Sequence, residues 1–224
     1  EQVIVNGAGD STHGRPSTTA VEYGTIVGSP LWVLNDQDPW NTEEYRNFRI
    51  IPVTGKMHNF RVKLSAAPGA GKSYNFRVRK DWRDTDLSCT IKDTETECAD
   101  TSTVLDVLEG DMLGVRSMPE GTPTASNPFI SVMFNANEED VTFFAGGDSR
   151  TMSNSVTEYQ SLTAVDYSGT TTETQVQCPM PIVGTLHDLF VDIDGDPGVG
   201  NSYTITLRDA GADSALGCTV LSPN

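Results

Sequence analysis

Residues 68–73 read PGAGKS, and Gly71-Lys72-Ser73 matches the end of a phosphate-binding loop. That loop needs the pattern G-x-x-x-x-G-K-[ST] between a strand and a helix, so that backbone amides can cradle phosphate oxygens. The place of its first glycine holds Ala66, and the following YNFRVRKD alternates apolar and polar residues as a strand does. Pro68, Gly69 and Gly71 read instead as turn residues, proline fixing one φ and glycine accepting positive φ. The expectation is a hairpin turn and no nucleotide.

A second candidate chemistry is calcium binding. Asp192, Asp194 and Asp196 in DIDGDPG have the one-three-five spacing of a calcium loop, with oxygen ligands of the right kind. The twelfth position, where a bidentate glutamate closes such a loop, is Tyr203. The flanks read as strands, so the plainer reading is a solvated acidic turn. Calcium is the one cofactor these residues admit. His58 and His187 have no partners at metal-ligand spacing, and His13 stands apart. No G-x-S-x-G elbow presents a nucleophile, and GGDS at 146–149 reads as a turn. The adjacent carboxylates Glu43/Glu44 and Glu138/Glu139/Asp140 would point to opposite faces of a strand, so they read as solvated loop charges. No catalytic residue is expected and no enzyme is implied.

The four cysteines, Cys89, Cys98, Cys178 and Cys218, allow three pairings. Cys89 and Cys98 flank TIKDTETE, a strand-turn-strand pattern, and are expected to meet across a hairpin. Cys178 and Cys218 are then the second pair. The alternative places the partner of Cys218 beyond residue 224. Disulfides would mean an oxidising setting; buried thiols would pack as small hydrophobes.

Internal repetition organises all these residues. Residues 51–91 lie over residues 180–220 at an offset of 129 with no gap and 14 identities in 41 positions, among them His58/His187, Pro68/Pro197, Arg79/Arg208, Asp84/Asp213 and Cys89/Cys218. Fainter echoes precede each copy: GAGDS at 7–11 against AGGDS at 145–149, and VEYGTIVG at 21–28 against TEYQSLTA at 157–164. In the second copy PGVGNS replaces the lysine with Asn201, so what the copies share is a turn frame rather than a phosphate ligand. The expected organisation is an N-terminal segment or linker at 1–20, a first module at 21–140 and a second, incomplete module at 141–224. Residues 221–224 align with Lys92–Glu95, so the second module has no counterparts of roughly 96–137. A segment of a longer array is expected, with completion by strands of another subunit as the alternative.

Within the first copy, Phe60, Val62 and Leu64 alternate with polar residues, as do Tyr74, Phe76 and Val78. That period of two marks half-buried strands. Some eight such strands with one apolar face each imply two sheets packed face to face. The fold class expected is all-β: tandem antiparallel β-sandwich modules of jelly-roll type. An immunoglobulin-like sandwich is the runner-up, but Trp82 precedes both Cys89 and Cys98, against that fold's Cys-Trp-Cys order. No run of about 18 apolar residues occurs, and no basic-then-apolar leader opens the chain. The net charge of -16 disfavours nucleic acid and anionic lipid as partners.

The series HNFRV, PGAGKSYNFRVRKD, DTDLSCTI, EGDMLGVRSMPEGTP resembles a module of phage virion proteins and environmental bacterial surface proteins. In that module a PGxGKSYxFTLR hairpin, a DTxLTCTI strand and a GDxLS-to-PSGTP stretch recur in the same order. The resemblance covers about 50–135, and 180–220 as the second copy. It implies a β-sandwich used in virion or surface architecture and carries over no functional residues. The expected function is a non-enzymatic virion component: a capsid decoration, head fibre or tail-associated protein. Its partners would be other copies of itself and capsid or tail proteins. The alternative is an extracellular adhesin, filament subunit or glycan-binding module, with Trp32, Trp40, Trp82 and Tyr167 as sugar-stacking candidates.

Overall fold

The computed structural model describes residues 3–8, 14–26, 29–30, 40–146, 151–162, 164–165, 169–177 and 183–222. Among them the strands are β1 (Val3–Ala8), β2 (Glu22–Gly24), β3 (Ser29–Pro30), β4 (Arg49–Ile50), β5 (Gly55–Leu64), β6 (Gly69–Lys80) and β7 (Arg83–Asp93). They continue as β8 (Glu97–Val107), β9 (Met112–Glu120), β10 (Pro128–Ala136), β11 (Ala164–Val165), β12 (Ser202–Asp209) and β13 (Ala212–Leu221). The only helical pieces among the described residues are 3-10 turns at Glu44–Asn47 and Glu173–Gln175. The protein is all-β.

Two sheets take in the described strands of residues 3–136 apart from β3, which pairs in parallel with β11. One runs β1-β10-β5-β8; the other runs β2-β9-β6-β7, with β4 also on β9. The pairings nest about the β6–β7 hairpin: β5 with β8, then β2 and β4 with β9, then β1 with β10, all antiparallel. This is a long two-stranded ribbon rolled over on itself, the jelly-roll strand order. Apart from the β6–β7 hairpin, the rolling sends consecutive strands from β4 to β10 to alternate sheets. PGAGKS therefore opens β6 at a corner between sheets, not within a hairpin. Gly69 (φ 101°) and Gly71 (φ 71°) supply the positive φ expected of them.

The inward faces meet as the alternation predicts. Phe60, Val62 and Leu64 of β5 are buried against Tyr74, Phe76 and Val78 of β6. Met57 also faces inward, three residues before Phe60 rather than two. A bulge at His58/Phe60, with Asn59 at φ 54°, takes up the odd residue. Burial of each large apolar side chain contributes about 1.5–3 kcal/mol, so this shared interior outweighs any surface ion pair.

The segment expected as a linker at 1–20 takes part in the sandwich. Its β1 covers the outer edge of β10, Gly14 and Pro16 are buried, and Arg15 donates from Nε to Asn127 Oδ1 at 3.1 Å. An uncovered β10 would leave a row of backbone donors and acceptors without partners.

Cys89 and Cys98 are joined by a disulfide. They do not face each other across a hairpin: β7 lies in one sheet and β8 in the other, so the bond staples the two sheets along one edge. Asp100 reinforces that edge. Its carboxylate accepts from the backbone N–H groups of Ser102 and Thr103 on β8 and of Ser88 on β7. Burial pushes this carboxyl up, but the Thr103, Ser102 and Ser88 donors outweigh it and hold it down at about 2.

Two outcomes follow. Cys98→Ala should lower unfolding free energy by about 2–3 kcal/mol, read from denaturant melts with and without reductant, because the bond closes a short loop. Asp100 is ordinarily near 3.9 when unfolded, so its contribution is present above about pH 4 and disappears as pH falls toward 2. Asp100→Asn should cost on the order of 1 kcal/mol at pH 7 and flatten the acid limb of stability against pH.

Candidate functional site

The feature that recurs in three dimensions is the β6–β7 hairpin. Phe76 lies opposite Cys89 and Arg79 opposite Asp84; in the second repeat Ile205 lies opposite Cys218 and Arg208 opposite Asp213. A bulge falls at Arg77/Arg79 in one and Thr206/Arg208 in the other. The loops are two residues long with positive φ at both: Asp81 (48°) and Trp82 (62°), then Ala210 (47°) and Gly211 (85°). Two-residue loops of that hand match the twist of antiparallel strands.

An arginine clamp sits beside each loop. Arg79 donates from Nε to Glu44 Oε1 at 2.5 Å, from Nη2 to Glu44 Oε2 at 2.9 Å and from Nη1 to Asp84 Oδ1 at 2.5 Å. It also reaches the Trp82 carbonyl at 2.5 Å and stands over the Tyr23 ring at 5.6 Å. Arg208 repeats each contact: Glu173 at 3.2 and 2.8 Å, Asp213 at 2.6 Å, the Gly211 carbonyl at 2.5 Å and the Tyr159 ring at 5.6 Å. Glu, Arg and Asp keep the offset of 129, whereas Tyr23/Tyr159 lie 136 apart, so the intervening loop absorbs seven residues.

The clamp carries the local electrostatics. The Glu44 hydrogen bonds hold the Arg79 guanidinium above its ordinary value against the cost of burial. Burial pushes the Asp84 carboxyl up, but the Arg79 hydrogen bond and the charges of Arg116 and Arg77 outweigh it and leave it lowered. Glu44 is thus not the solvated loop charge its neighbour Glu43 suggested; the 3-10 turn at Glu44–Asn47 aims it inward at Arg79. The signal was in the sequence as Glu44/Glu173 at the repeat offset, but the region around it aligns too weakly to single it out.

The other candidates do not assemble into a reactive site. Asp192, Asp194 and Asp196 are exposed, and Asp196 Oδ1 accepts from the Gly198 N–H at 2.8 Å, which closes the turn from within. That backbone donor and Ser222 lower the Asp196 carboxyl. Among the described residues no three His, Cys, Asp or Glu side chains converge to hold a metal. His58 is half-buried on β5, and His187 is exposed with Nδ1 2.6 Å from Asp188. Ser73 of PGAGKS donates to Glu120 at 3.3 Å, which puts a carboxylate where a phosphate would need positive charge.

Trp40 is in the core, edge-on to Phe76, so it is not available for stacking on a sugar. Trp82 is 51% exposed at the hairpin loop, edge-on to Phe48 at 4.9 Å. Trp32, Tyr167 and His13 lie outside the described residues, as does Cys178.

Cys218 carries a free, half-buried thiol. Its expected pairing with Cys178 involves a residue outside the described ones.

Comparison with known protein families and with curated proteins finds no match.

The clamp makes a contrast between the copies. Arg79→Met leaves Glu44 partly buried without its cation and should cost about 2–3 kcal/mol in urea melts, part of it recovered by adding Glu44→Gln. Arg208→Met, at a more exposed clamp, should move the melting midpoint far less.

Proposed function

We propose that the protein is a non-enzymatic structural component of a phage virion, a capsid decoration, head fibre or tail-associated protein, that works by packing against other subunits. The observation that carries this reading is the recurrence of one hairpin, with the same register, loop and clamp, in a chain whose complete copy is a jelly roll. That architecture serves viral capsids among other uses. Repetition of a packing unit without a repeated reactive site suits assembly rather than turnover. The net charge of -16 keeps such a surface soluble and discourages indiscriminate association. Partners on this reading are further copies of the chain and capsid or tail proteins, and its place is the assembled particle.

A second reading is an extracellular adhesin or filament subunit that binds glycans. It is favoured by Trp82 alone, whose half-exposed ring at a strained loop position offers a stacking surface.

Immunogold electron microscopy with antibody against the purified chain separates the two. Label on phage particles is the expected result. Label confined to cell-surface filaments, together with glycan-array signal lost in Trp82→Ala, would establish the second reading instead. A chain that sediments as a monomer at all concentrations and labels neither would sink both.

A further inference from the structure

The outward face of the sheet β2-β9-β6-β7 carries three arginines in register. Arg77 on β6 lies directly opposite Arg116 on β9, and Arg116 lies opposite Tyr23 on β2. Arg79, two residues on from Arg77, shares that face. Side chains so opposed stand about 4.5–5.5 Å apart at Cβ, and like charges there repel. The three guanidinium groups share two carboxylates. Glu44 grips Arg79, and Asp84 is divided between Arg79 Nη1 and Arg116 Nη1, each at 2.5 Å. Asp86 on β7 is exposed and bonds to none of the three. Arg77 has no bonded carboxylate among the described residues; its Nη1 donates to the Thr85 carbonyl at 2.8 Å.

Hydrogen bonding on this face is incomplete in the isolated chain. Buried side-chain polar atoms are nearly always paired. Of the six that are unpaired among the described residues, three belong here: Asn75 Oδ1, Arg77 Nε and Arg116 Nε. Nη2 of Arg77 and of Arg116 also hold no hydrogen bond, and neither is buried. Met118, two residues along β9 from Arg116, is 40% exposed and adds apolar surface beside them. The second repeat separates this feature from the hairpin itself. Its clamp recurs at Arg208, Glu173 and Asp213, but the counterpart of Arg77 is Thr206. The hairpin needs the clamp and does not need a guanidinium at the place of Arg77.

We propose that Arg77 and Arg116 form a docking site for a carboxylate of the acidic run Glu138-Glu139-Asp140 in a second copy of the chain. The proposal rests on the subunit-packing role above and names the contact. Two guanidinium groups on neighbouring strands can each give one Nη2–H to the two oxygens of one carboxylate. The run at 138–140 is the sole stretch of three consecutive acidic residues in the sequence. All three are exposed, and their side chains hold no hydrogen bond or ion pair among the described residues. Copies with a net charge of -16 repel one another in most approaches, so a contact between them needs opposite charges set face to face. The contact joins two different patches, so a chain damaged in one can still use the other.

Sedimentation velocity on the full 224-residue chain should show self-association that weakens as sodium chloride rises from about 50 to about 500 mM. Arg77→Thr, which installs the residue of the second repeat, and Glu138→Lys/Glu139→Lys should each raise the dissociation constant at least about tenfold. Asp140 is left in place because its φ of 60° suits aspartate. Mixed one to one, the two variants should recover association and stop at a heterodimer, since one brings an intact acidic run and the other an intact arginine pair. The acidic-run change lies on an exposed turn, so its effect is read on a folded chain even if Arg77→Thr unfolds. A parent chain that stays monomeric, undiminished association of either folded variant, or no recovery in the mixture would overturn the contact. So would calorimetric uptake of inorganic sulfate by the arginine pair with no association between chains. Association that persists in both variants overturns this contact alone and leaves the packing role standing, which the labelling of particles judges separately.

Discussion

A sheet with one apolar face needs a second sheet over it, and that requirement governs this protein. In the first repeat it is met by rolling a long antiparallel ribbon so that β6 and β7 face β5, β8 and β10. Tyr74 and Phe76 then lose all contact with solvent. Each is worth roughly 1.5–3 kcal/mol on burial, so the pairing of faces dominates the energetics and the remaining interactions adjust it. β7 and β8 are end strands of their two sheets and lie beside each other. The Cys89–Cys98 bond and the Asp100 carboxylate both sit there, where the sheets would otherwise part first.

The two hairpins separate what is local from what is not. Register, two-residue loop and arginine clamp are the same in both, although among the described residues only the first is covered by a second sheet. Arg79 and Asp84 are five residues apart, and the loop needs only its own two positive φ angles. The hairpin and the Arg–Asp half of the clamp form from nearby residues, whereas the Glu44 half reaches 35 residues along the chain. The burial of Ile91 depends on strands tens of residues further along, and its counterpart Val220 is half-exposed, with no such strand over it among the described residues. Chemistry follows the same division. The serine, lysine, histidine and aspartate patterns that evoke enzymes resolve into turns, strand faces and ion pairs.

Much of this was legible in the sequence. Period-two alternation picked out the inward faces of β5 and β6, and the repeat picked out Arg79/Arg208 and Cys89/Cys218. Three readings missed for one physical reason. PGAGKS was expected within a hairpin, Cys89 and Cys98 across one, and residues 1–20 in a linker. Alternation says that a segment is a strand and which residues share a face. It does not say which strand lies next to it, because hydrogen-bonding groups along any backbone are the same. Glu44 was missed for a related reason: its role depends on a 3-10 turn that points it at an arginine 35 residues away.

By itself the sequence determined the alternating strands of the first copy, the glycines with positive φ and the repeat at an offset of 129, since these are set by short-range sterics and side-chain period. Only the tertiary structure decided that strands flanking the β6–β7 hairpin cross between sheets, that a disulfide joins those sheets, that β1 belongs to the sandwich, and that Gly55 is crowded while Gly184 is open. These depend on which distant segments meet, and segments meet where apolar faces can be covered together.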